Sequence, residues 1–575
     1  MDYRKEYEKW CSAPYIDDRT KEELLALSDE KEIEDRFYRN LEFGTGGLRG
    51  VIGAGTNRMN IYTVRLATQG LADYILACNG ADRGVVIAYD SRRMSPEFSR
   101  EAALVLNANG IKTYRFESLR PTPELSFAVR ELKCIAGIVV TASHNPREYN
   151  GYKVYWEDGA QITPPHDKNI LEAVAAVTDI SQVKVMSKAE ARKAGLYKDI
   201  GEKIDDAYIR EVKKQSIHPD VIREMAGDFT IVYTPFNGTG NKPVRRILKE
   251  LGFEKVHVVR EQEAPDGEFP TLPYPNPEAP EAWELALSLA KKVDADIVLA
   301  TDPDADRLGV YCKGPGDGEY IPFTGNMSGM IIAEYILSQL DDMGVMPTHP
   351  ALVETIVTTD MAKPVAKNYG VDIVEVLTGF KYIGEQIRLF EENQTYHYIF
   401  GLEESYGCLA GTYARDKDAC VAVMLLCEAA AFYKQRGWTL WDAMCDMYER
   451  YGYFREGLYT LTLSGKDGEV KRNEMMDTAR NNPPVMLAGK KVIAVRDYLS
   501  DVRRETESGS ESFTGLPRSN VLYYELEDDF WCCIRPSGTE PKIKYYFGVK
   551  GKDLADADRL LQMMQEEVIE IGGER

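Results

Sequence analysis

Short apolar runs, each closed by turn or charged residues, recur along the chain and alternate with stretches of helical spacing. Gly84-Val85-Val86-Ile87-Ala88-Tyr89 reads as a strand ending in Asp90-Ser91-Arg92-Arg93, and Ser95 to Asn109 as a helix stopped by Gly110. Ile111 to Phe116 reads as a second strand and Pro121 to Lys133 as a second helix. Ala136-Gly137-Ile138-Val139-Val140 then reads as a buried strand of a parallel sheet, too short for a helix and apolar throughout. Residues 1 to 40 read as charged amphipathic helix, with Ile33 and Phe37 on the apolar edge.

The same alternation returns twice. Phe229 to Tyr233, a strand at 255 to 259, a helix near 282 to 293 and the strand Ala295 to Ala300 make a second round. Val353 to Thr358, Val371 to Leu377, a helix from Lys381 and the strand Tyr396 to Phe400 make a third. Linkers are expected at Gly201 to Asp206 and near Tyr320 to Gly325, and the proline-rich piece 269–277 as a surface loop. A long helical stretch from Asp416 to Tyr451 gives way to short alternating runs at 491–495, 521–526, 530–534 and 543–549, then a terminal helix from Asp553. The expected fold class is α/β: three similar α/β modules with mixed sheets, at 1–204, 205–322 and 323–455, and a smaller antiparallel α+β domain at 456–575.

Composition narrows the function. The 575 residues carry 70 Lys plus Arg against 92 Asp plus Glu, a formal charge of −22, which argues against nonspecific nucleic-acid or anionic-membrane binding. No segment approaches the ~20 apolar residues of a membrane span and no apolar leader follows Met1, so the expected location is cytoplasmic. Ten scattered cysteines without CxxC pairs read as reduced, packed thiols. With six histidines in the chain, any metal site is expected to use oxygen ligands.

Four stretches carry candidate chemistry. Thr141-Ala142-Ser143-His144-Asn145-Pro146 follows the buried strand, where ligands of open α/β sheets bind, and its turn residues let the Ser143 hydroxyl project as a candidate nucleophile; an ordinary polar turn is the alternative. Thr301-Asp302-Pro303-Asp304-Ala305-Asp306-Arg307 sets three carboxylates at alternating positions, on one side of an extended loop, which suits Mg²⁺. The Ca²⁺ loop pattern fails at Arg307 and Lys313, and an acidic solvated turn stays open. Gly401-Leu402-Glu403-Glu404-Ser405 sets Glu403 and Ser405 two apart, facing one way in extended backbone, where a carboxylate can grip two sugar hydroxyls; a helix-capping turn explains it equally well. Arg535-Pro536-Ser537-Gly538-Thr539 combines a guanidinium fork, two hydroxyls and a glycine that lets backbone close on a phosphate dianion, or else is a polar hairpin turn. Weaker signals are the glycine-rich Phe43 to Gly50 with Arg49, a loop able to approach an anion or a simple connector, and Lys381 after Gly379-Phe380, by default a solvated lysine.

Taken together and in this order, the four motifs, with Tyr149-Asn150-Gly151-Tyr152-Lys153 after the first, resemble those of the α-D-phosphohexomutase family, most closely its longer phosphoglucomutase branch. The resemblance covers nearly the whole chain and implies four domains around a central cleft. It implies that Ser143 carries a phosphoryl group, and that one Mg²⁺ per chain is held by Ser143 with Asp302, Asp304 and Asp306. It implies that Lys153 and Arg49 handle proton and charge, supported by His144 and Arg307. Substrate binding would fall to Arg307, Lys381, Glu403, Ser405, Arg535, Ser537, Gly538 and Thr539. The implied reaction interconverts α-D-glucose 1-phosphate and glucose 6-phosphate through glucose 1,6-bisphosphate, which also activates. Mannose or ribose phosphate as substrate stays open, as does a noncatalytic sugar-phosphate binder; the joint presence of nucleophile, metal triad and Lys153 disfavours the last. Monomer and dimer are not distinguished.

Overall fold

The computed structural model describes residues 2–44, 46–316, 318–463, 465–538 and 542–571, side chains of 465–467 excepted. The chain forms two compact units, Met1–Ile332 with Phe380–Trp441, and Ala333–Gly379 with Asp442–Arg575.

The first unit opens with three short helices, Tyr3–Ser12, Asp18–Leu25 and Glu30–Phe37, in place of the one amphipathic helix expected. Asp2, Asp17 and Asp29 each cap a helix by accepting a backbone N–H, which is why the charged stretch breaks into three. Trp10, Leu24, Ile33, Phe37 and Tyr62 form their common core. A six-stranded mixed sheet follows, from β1 (Gly47–Val51), β2 (Val85–Tyr89), β3 (Thr113–Phe116), β4 (Ala136–Val140), β5 (Tyr149–Trp156) and β6 (Tyr197–Ile200), in the order β1-β5-β4-β2-β3-β6. β2 pairs in parallel with β3 and β4, whereas β5 is antiparallel to β4 and β1. Every residue of β2 and β4 is buried, as a doubly covered parallel strand requires.

The second sheet contains β7 (Thr230–Thr234), β8 (Lys255–Val258), β9 (Ile297–Thr301), β10 (Leu308–Lys313) and β11 (Tyr320–Phe323), ordered β11-β10-β9-β7-β8. β7 is parallel to β8 and β9, and β10 turns back antiparallel to β9, so residues 302–307 form the turn between two paired strands. Both expected linkers hold regular structure. Residues 202–213 form a helix with Ile204, Tyr208, Ile209 and Val212 buried, and residues 320–323 are β11, paired to β10.

In the second unit β12 (Pro350–Thr355) and β13 (Asp372–Val376) pair in parallel; in the first, β14 (His397–Leu402) and β15 (Cys408–Ala410) pair antiparallel. The expected long helix is two, Ala419–Gln435 and Leu440–Tyr451, broken after Gly437. The C-terminal part of the second unit is an antiparallel sheet. It holds β16 (Tyr453–Thr462), β17 (Met486–Leu487), β18 (Lys490–Asp497), β19 (Val502–Glu505), β20 (Glu511–Ser512), β21 (Leu522–Leu526), β22 (Trp531–Pro536) and β23 (Lys542–Gly551). The order is β16-β23-β22-β21-β18-β19-β20, with β17 on β18, and the helices Gly465–Asn481 and Leu554–Ile571 accompany it. Among the described residues no helix is long and apolar enough to cross a membrane, and the cysteines are free thiols, most of them buried.

Candidate active site

The buried strand β4 delivers Thr141 to a turn in which Ser143 has φ 50°, a left-handed conformation that costs a non-glycine residue about 1 to 3 kcal/mol. Two devices hold it there. Thr141 Oγ1 accepts the Ser143 N–H at 2.8 Å and donates to Asp90 at 2.6 Å. The fully buried Arg92 guanidinium donates to the carbonyls of Ser143, Asn145, Pro146 (2.9 Å) and Tyr149 (3.1 Å), and pairs with Asp90 at 3.4 Å. The Ser143 hydroxyl, 3% exposed as a residue, donates to Asp302 Oδ2 at 2.6 Å and lies 3.2 Å from His144 Nδ1.

Asp302, Asp304 and Asp306 are all buried, and one carboxylate oxygen from each lies within 4.8 Å of the others. They converge through a tight turn, not the extended loop expected: Ala305 has φ 52°, and its N–H reaches the Asp302 carbonyl at 3.0 Å. Asp304 Oδ1 and Asp306 Oδ1 are buried with no hydrogen-bond partner. Three hard carboxylate donors with two oxygens left unsatisfied fit a divalent cation.

Lysines from two distant segments face the triad. Lys153, on β5, reaches Asp304 at 2.9 Å and Asp306 at 3.5 Å; Lys417 reaches Asp306 at 2.8 Å and Asp416 at 3.2 Å. Burial, then the charges of Asp304 and Asp306, push Asp302 well up, whereas Lys153 outweighs burial and holds Asp304 far below the usual carboxylate range. Burial pulls both ammonium groups down, but the carboxylates around them win and raise both. Thr122 closes the far side, its N–H on the Asp304 carbonyl at 2.9 Å and its hydroxyl on Asp304 Oδ2 at 2.8 Å.

Arg49 Nη1 lies 3.4 Å from Asn145 Oδ1, beside the serine loop. Gly47 sits in β1, where a Cβ would stand 1.8 Å from the Tyr152 carbonyl, so close strand approach requires a glycine there. Thr45 of that stretch lies outside the described residues. Arg307 pairs with Glu278 at 2.8 Å; burial is outweighed by Glu278 and Asp306, which raise it. Glu403 is buried at the end of β14, and burial, only partly offset by Lys417 and Arg307, raises its carboxyl. Glu403 and Ser405 are not on extended backbone: residues 404–406 turn, with Tyr406 at φ 68°, and the Glu403 N–H closes on the Gly407 carbonyl at 2.8 Å. The turn still meets the triad segment, through the Leu308 N–H on the Tyr406 carbonyl at 3.0 Å. Lys381 opens the helix Phe380–Asn393; burial lowers it, offset in part by Asp167 and Glu385, so its charged neighbours are not the triad.

In the second unit, Arg535 ends β22 half-buried opposite Lys544, the Ser537 N–H closes on the Lys542 carbonyl at 2.8 Å, and Gly538 is exposed. Thr539 lies outside the described residues. Sequence reasoning missed Lys417, Thr122 and the anchoring role of Arg92. Their signals were a charged quartet, Arg415 to Asp418, before an apolar helix, and a cation pair at the end of a buried strand.

Residues 40–180, 206–316 and 324–451 match the phosphoglucomutase/phosphomannomutase alpha/beta/alpha domains I, II and III. The chain belongs to the phosphoglucomutase/phosphomannomutase family. A Staphylococcus haemolyticus phosphoglucomutase is 36% identical over 516 residues, 90% of this chain and 91% of that one. A Staphylococcus aureus phosphoglucomutase is 36% identical over 538 residues, 93% and 94% of the two chains. Among solved structures, a putative phosphomannomutase from Thermus thermophilus superposes with TM-score 0.68 at 22% identity, over 93% of this chain and 99% of that one. The parafusin phosphoglucomutase of Paramecium gives 0.67 at 18%, over 94% and 97%. As a phosphoglucomutase/phosphomannomutase family member the chain is an intramolecular phosphotransferase of the isomerase class, and its three α/β/α domains with a C-terminal antiparallel sheet are the family's architecture.

Proposed function

We propose that the enzyme is a phosphoglucomutase, interconverting α-D-glucose 1-phosphate and glucose 6-phosphate through a phosphoserine at Ser143 and a glucose 1,6-bisphosphate that stays bound between two half-reactions. The observation that carries this reading is the Ser143 hydroxyl 2.6 Å from Asp302, within a three-aspartate cluster that Lys153 also enters. The staphylococcal relatives named phosphoglucomutase support glucose as the sugar.

Asp302, Asp304 and Asp306, with the phosphate on Ser143, would hold one Mg²⁺, whose chemistry when bound is to neutralise charge on the phosphoryl group. In the first half-reaction the O6 of glucose 1-phosphate forms a bond to phosphorus, the bond from phosphorus to Ser143 Oγ breaks, and the O6 proton passes to Oγ. Lys153 and Arg49 flank this exchange and carry proton and charge, with His144 beside Oγ. The bisphosphate then presents its other phosphate, which returns to Ser143 and leaves glucose 6-phosphate. Both orientations need one clamp for the idle phosphate, assigned to Arg535, Ser537, Gly538 and Thr539, and one for the sugar, assigned to Glu403 and Ser405 with Lys381 and Arg307. Four domains divided near 204, 322 and 455 around a cleft, and activation by added glucose 1,6-bisphosphate, belong to the same reading.

The test is the initial isomerisation rate with glucose, mannose and ribose 1-phosphates, each with Mg²⁺ and a trace of the matching bisphosphate, beside Ser143→Ala. A glucose preference lost in the variant is expected. Near wild-type turnover by Ser143→Ala would overturn the mechanism, and a faster rate with ribose or mannose would replace the named substrate.

A further inference from the structure

Lys153 and Tyr155 lie two apart on β5 and share one face of the strand. The proposed reaction uses only the first. Tyr155 is completely buried and donates its hydroxyl to Asp416 Oδ2 at 2.6 Å. The other oxygen of Asp416 is taken by Lys417, through its N–H at 2.9 Å and its ammonium at 3.2 Å. The same ammonium lies 2.8 Å from Asp306 Oδ2. A polar path therefore runs from Tyr155 through Asp416 and Lys417 to the third carboxylate of the triad.

The path ends on a choice between two oxygens. Lys153 meets Asp304 at Oδ2 and both lysines meet Asp306 at Oδ2, which leaves Oδ1 of each aspartate without a hydrogen bond. Which oxygen of Asp306 is engaged thus depends on where Lys417 stands. With Tyr155 on its Oδ2, Asp416 offers the ammonium one oxygen and shares it with Asp306. Without that hydroxyl, Asp416 holds a buried acceptor that has lost its donor, a costly state that the cation already on Asp416 relieves. Lys417 then turns to Asp416, and Asp306 Oδ2 is left with Lys153 at 3.5 Å.

The segment that carries Lys417 is built without this bond. The Arg415 N–H donates to Ser126 Oγ at 2.8 Å, the Asp418 N–H to the Cys408 carbonyl at 2.8 Å, and the Ala419 N–H to the Ala305 carbonyl at 3.2 Å. Asp418 caps the helix Ala419–Gln435, accepting the N–H groups of Cys420 at 2.7 Å and Val421 at 3.3 Å together with the hydroxyls of Tyr208 and Tyr413. The backbone is fixed on both sides of Lys417. Tyr155 adds the direction of one carboxylate and, through it, of one ammonium.

We propose that Tyr155 is a positioning residue of the metal site: by holding Asp416 it keeps Lys417 on Asp306 and so fixes how Asp306 is presented to a divalent cation. The inference rests on the metal site of the mutase reading. The ammonium stays in the same neighbourhood whichever carboxylate it favours, so its repulsion of a cation hardly changes. What Tyr155→Phe removes is the outer partner that orients Asp306.

The test is calorimetric titration of Mg²⁺ into the full chain, with thermal unfolding and steady-state mutase kinetics beside it. Tyr155→Phe is expected to bind Mg²⁺ about tenfold more weakly, and Asp416→Asn to do the same. The Mg²⁺ concentration for half-maximal rate rises by the same factor, while KM for the sugar phosphate at saturating Mg²⁺ stays within about twofold, because Tyr155 touches no substrate. Tyr208→Phe removes the same kind of tyrosine-to-aspartate bond from the same segment; it lowers Tm comparably and leaves Mg²⁺ affinity within about twofold. Adding Tyr155→Phe to Asp416→Asn changes Mg²⁺ affinity by less than about twofold, since the path is already cut. Wild-type Mg²⁺ affinity in Tyr155→Phe or in Asp416→Asn, an equal loss in Tyr208→Phe, or additive losses in the double variant overturn the positioning role and leave the metal site standing. Mg²⁺ binding that survives Asp302→Ala overturns the metal site and the positioning role with it. Near wild-type turnover by Ser143→Ala overturns the nucleophile and moves neither Mg²⁺ result.

Discussion

Arg92→Lys keeps a positive charge at the end of β2 but removes the fork that spans four carbonyls of the serine loop. The guanidinium is buried completely and serves Ser143, Asn145, Pro146 and Tyr149 while pairing with Asp90. An ammonium presents its donors from one point and reaches about two of these acceptors. Each lost hydrogen bond from a charged donor is worth about 1.5 to 3 kcal/mol, so the loop forfeits about 3 to 6 kcal/mol of gross restraint. Ser143 needs that restraint, because its φ of 50° stores about 1 to 3 kcal/mol of strain that relaxes once the carbonyls are released. Relaxation moves Oγ off the 2.6 Å contact with Asp302. A misplacement of about 1 Å costs about a hundredfold in rate, equivalent to about 2.7 kcal/mol of barrier. The assay is steady-state mutase kinetics at saturating Mg²⁺, with urea unfolding alongside. The expected outcome is kcat down about a hundredfold and KM within about threefold, because the side chain touches the loop and not the substrate. A kcat within about threefold of wild type, or a loss confined to KM, would refute the assignment of Arg92 as the residue that positions the nucleophile.

Three further outcomes follow from the same geometry. Gly47→Ala places a Cβ 1.8 Å from the Tyr152 carbonyl at φ 143°, so chemical denaturation is expected to show a loss of at least about 2 kcal/mol; a smaller change would show that β1 is free to shift away from β5. Mg²⁺ at about a hundred times its dissociation constant adds about 2.7 kcal/mol to the folded state, so calorimetry should show a rise in Tm over chelator-treated protein that vanishes in Asp302→Ala; an equal rise in both would place the ion elsewhere. Glu124 is raised well above 4.5 by burial and then by Asp205, so the native state holds a proton that the unfolded chain releases, and wild-type stability falls as pH climbs above the unfolded value. Glu124→Gln removes that loss, so its Tm advantage is expected to grow as pH rises above the unfolded carboxyl value, and a pH-independent difference would count against the reading.

The elements legible in the sequence were those with a local signal. β2 and β4 announced themselves because five apolar residues in a row, closed by polar turns, are what a strand covered on both faces looks like. Asp302, Asp304 and Asp306 were legible because their alternation survives in the turn that the fold makes, although that turn is tight and not extended. Glycine carried an ambiguous signal. Gly47 marks two strands packed closely, the same residue type an anion loop would use, and nothing within residues 43–50 separates the two. Residues 201–206 misled for a similar reason: Glu202, Lys203, Asp205 and Asp206 look like a solvated linker, and only Ile204 taken with Tyr208, Ile209 and Val212 beyond them shows the amphipathic helix they begin. β16 went unseen because its ten residues are mostly half-buried and mix apolar with polar side chains, and they become a strand through pairing with β23, eighty or more positions away.

The pairing of Lys153 and Lys417 with the triad was illegible for a stronger reason, because charge balance at a buried site is a property of the folded chain and not of any segment. Lys153 comes from β5, and Lys417 from the segment before the helix Ala419–Gln435, more than a hundred residues from the aspartates on either side. Lys153 and Lys417 face Asp302, Asp304 and Asp306, and Lys417 also meets the buried Asp416, so carboxylates outnumber ammonium groups in a space that water barely enters, where a larger excess is costly. A divalent cation brings two positive charges and a serine phosphate about two negative ones, so adding both leaves the sum where it was. On the proposed reading, metal and phosphoryl group enter together without changing the electrostatic load on the core, and the two lysines offset the carboxylates when both are away. A site that must gain and lose a phosphoryl group in every cycle needs that property. A permanently occupied structural metal site would need none of it, and would gain nothing from a lysine that competes with the ion for Asp304.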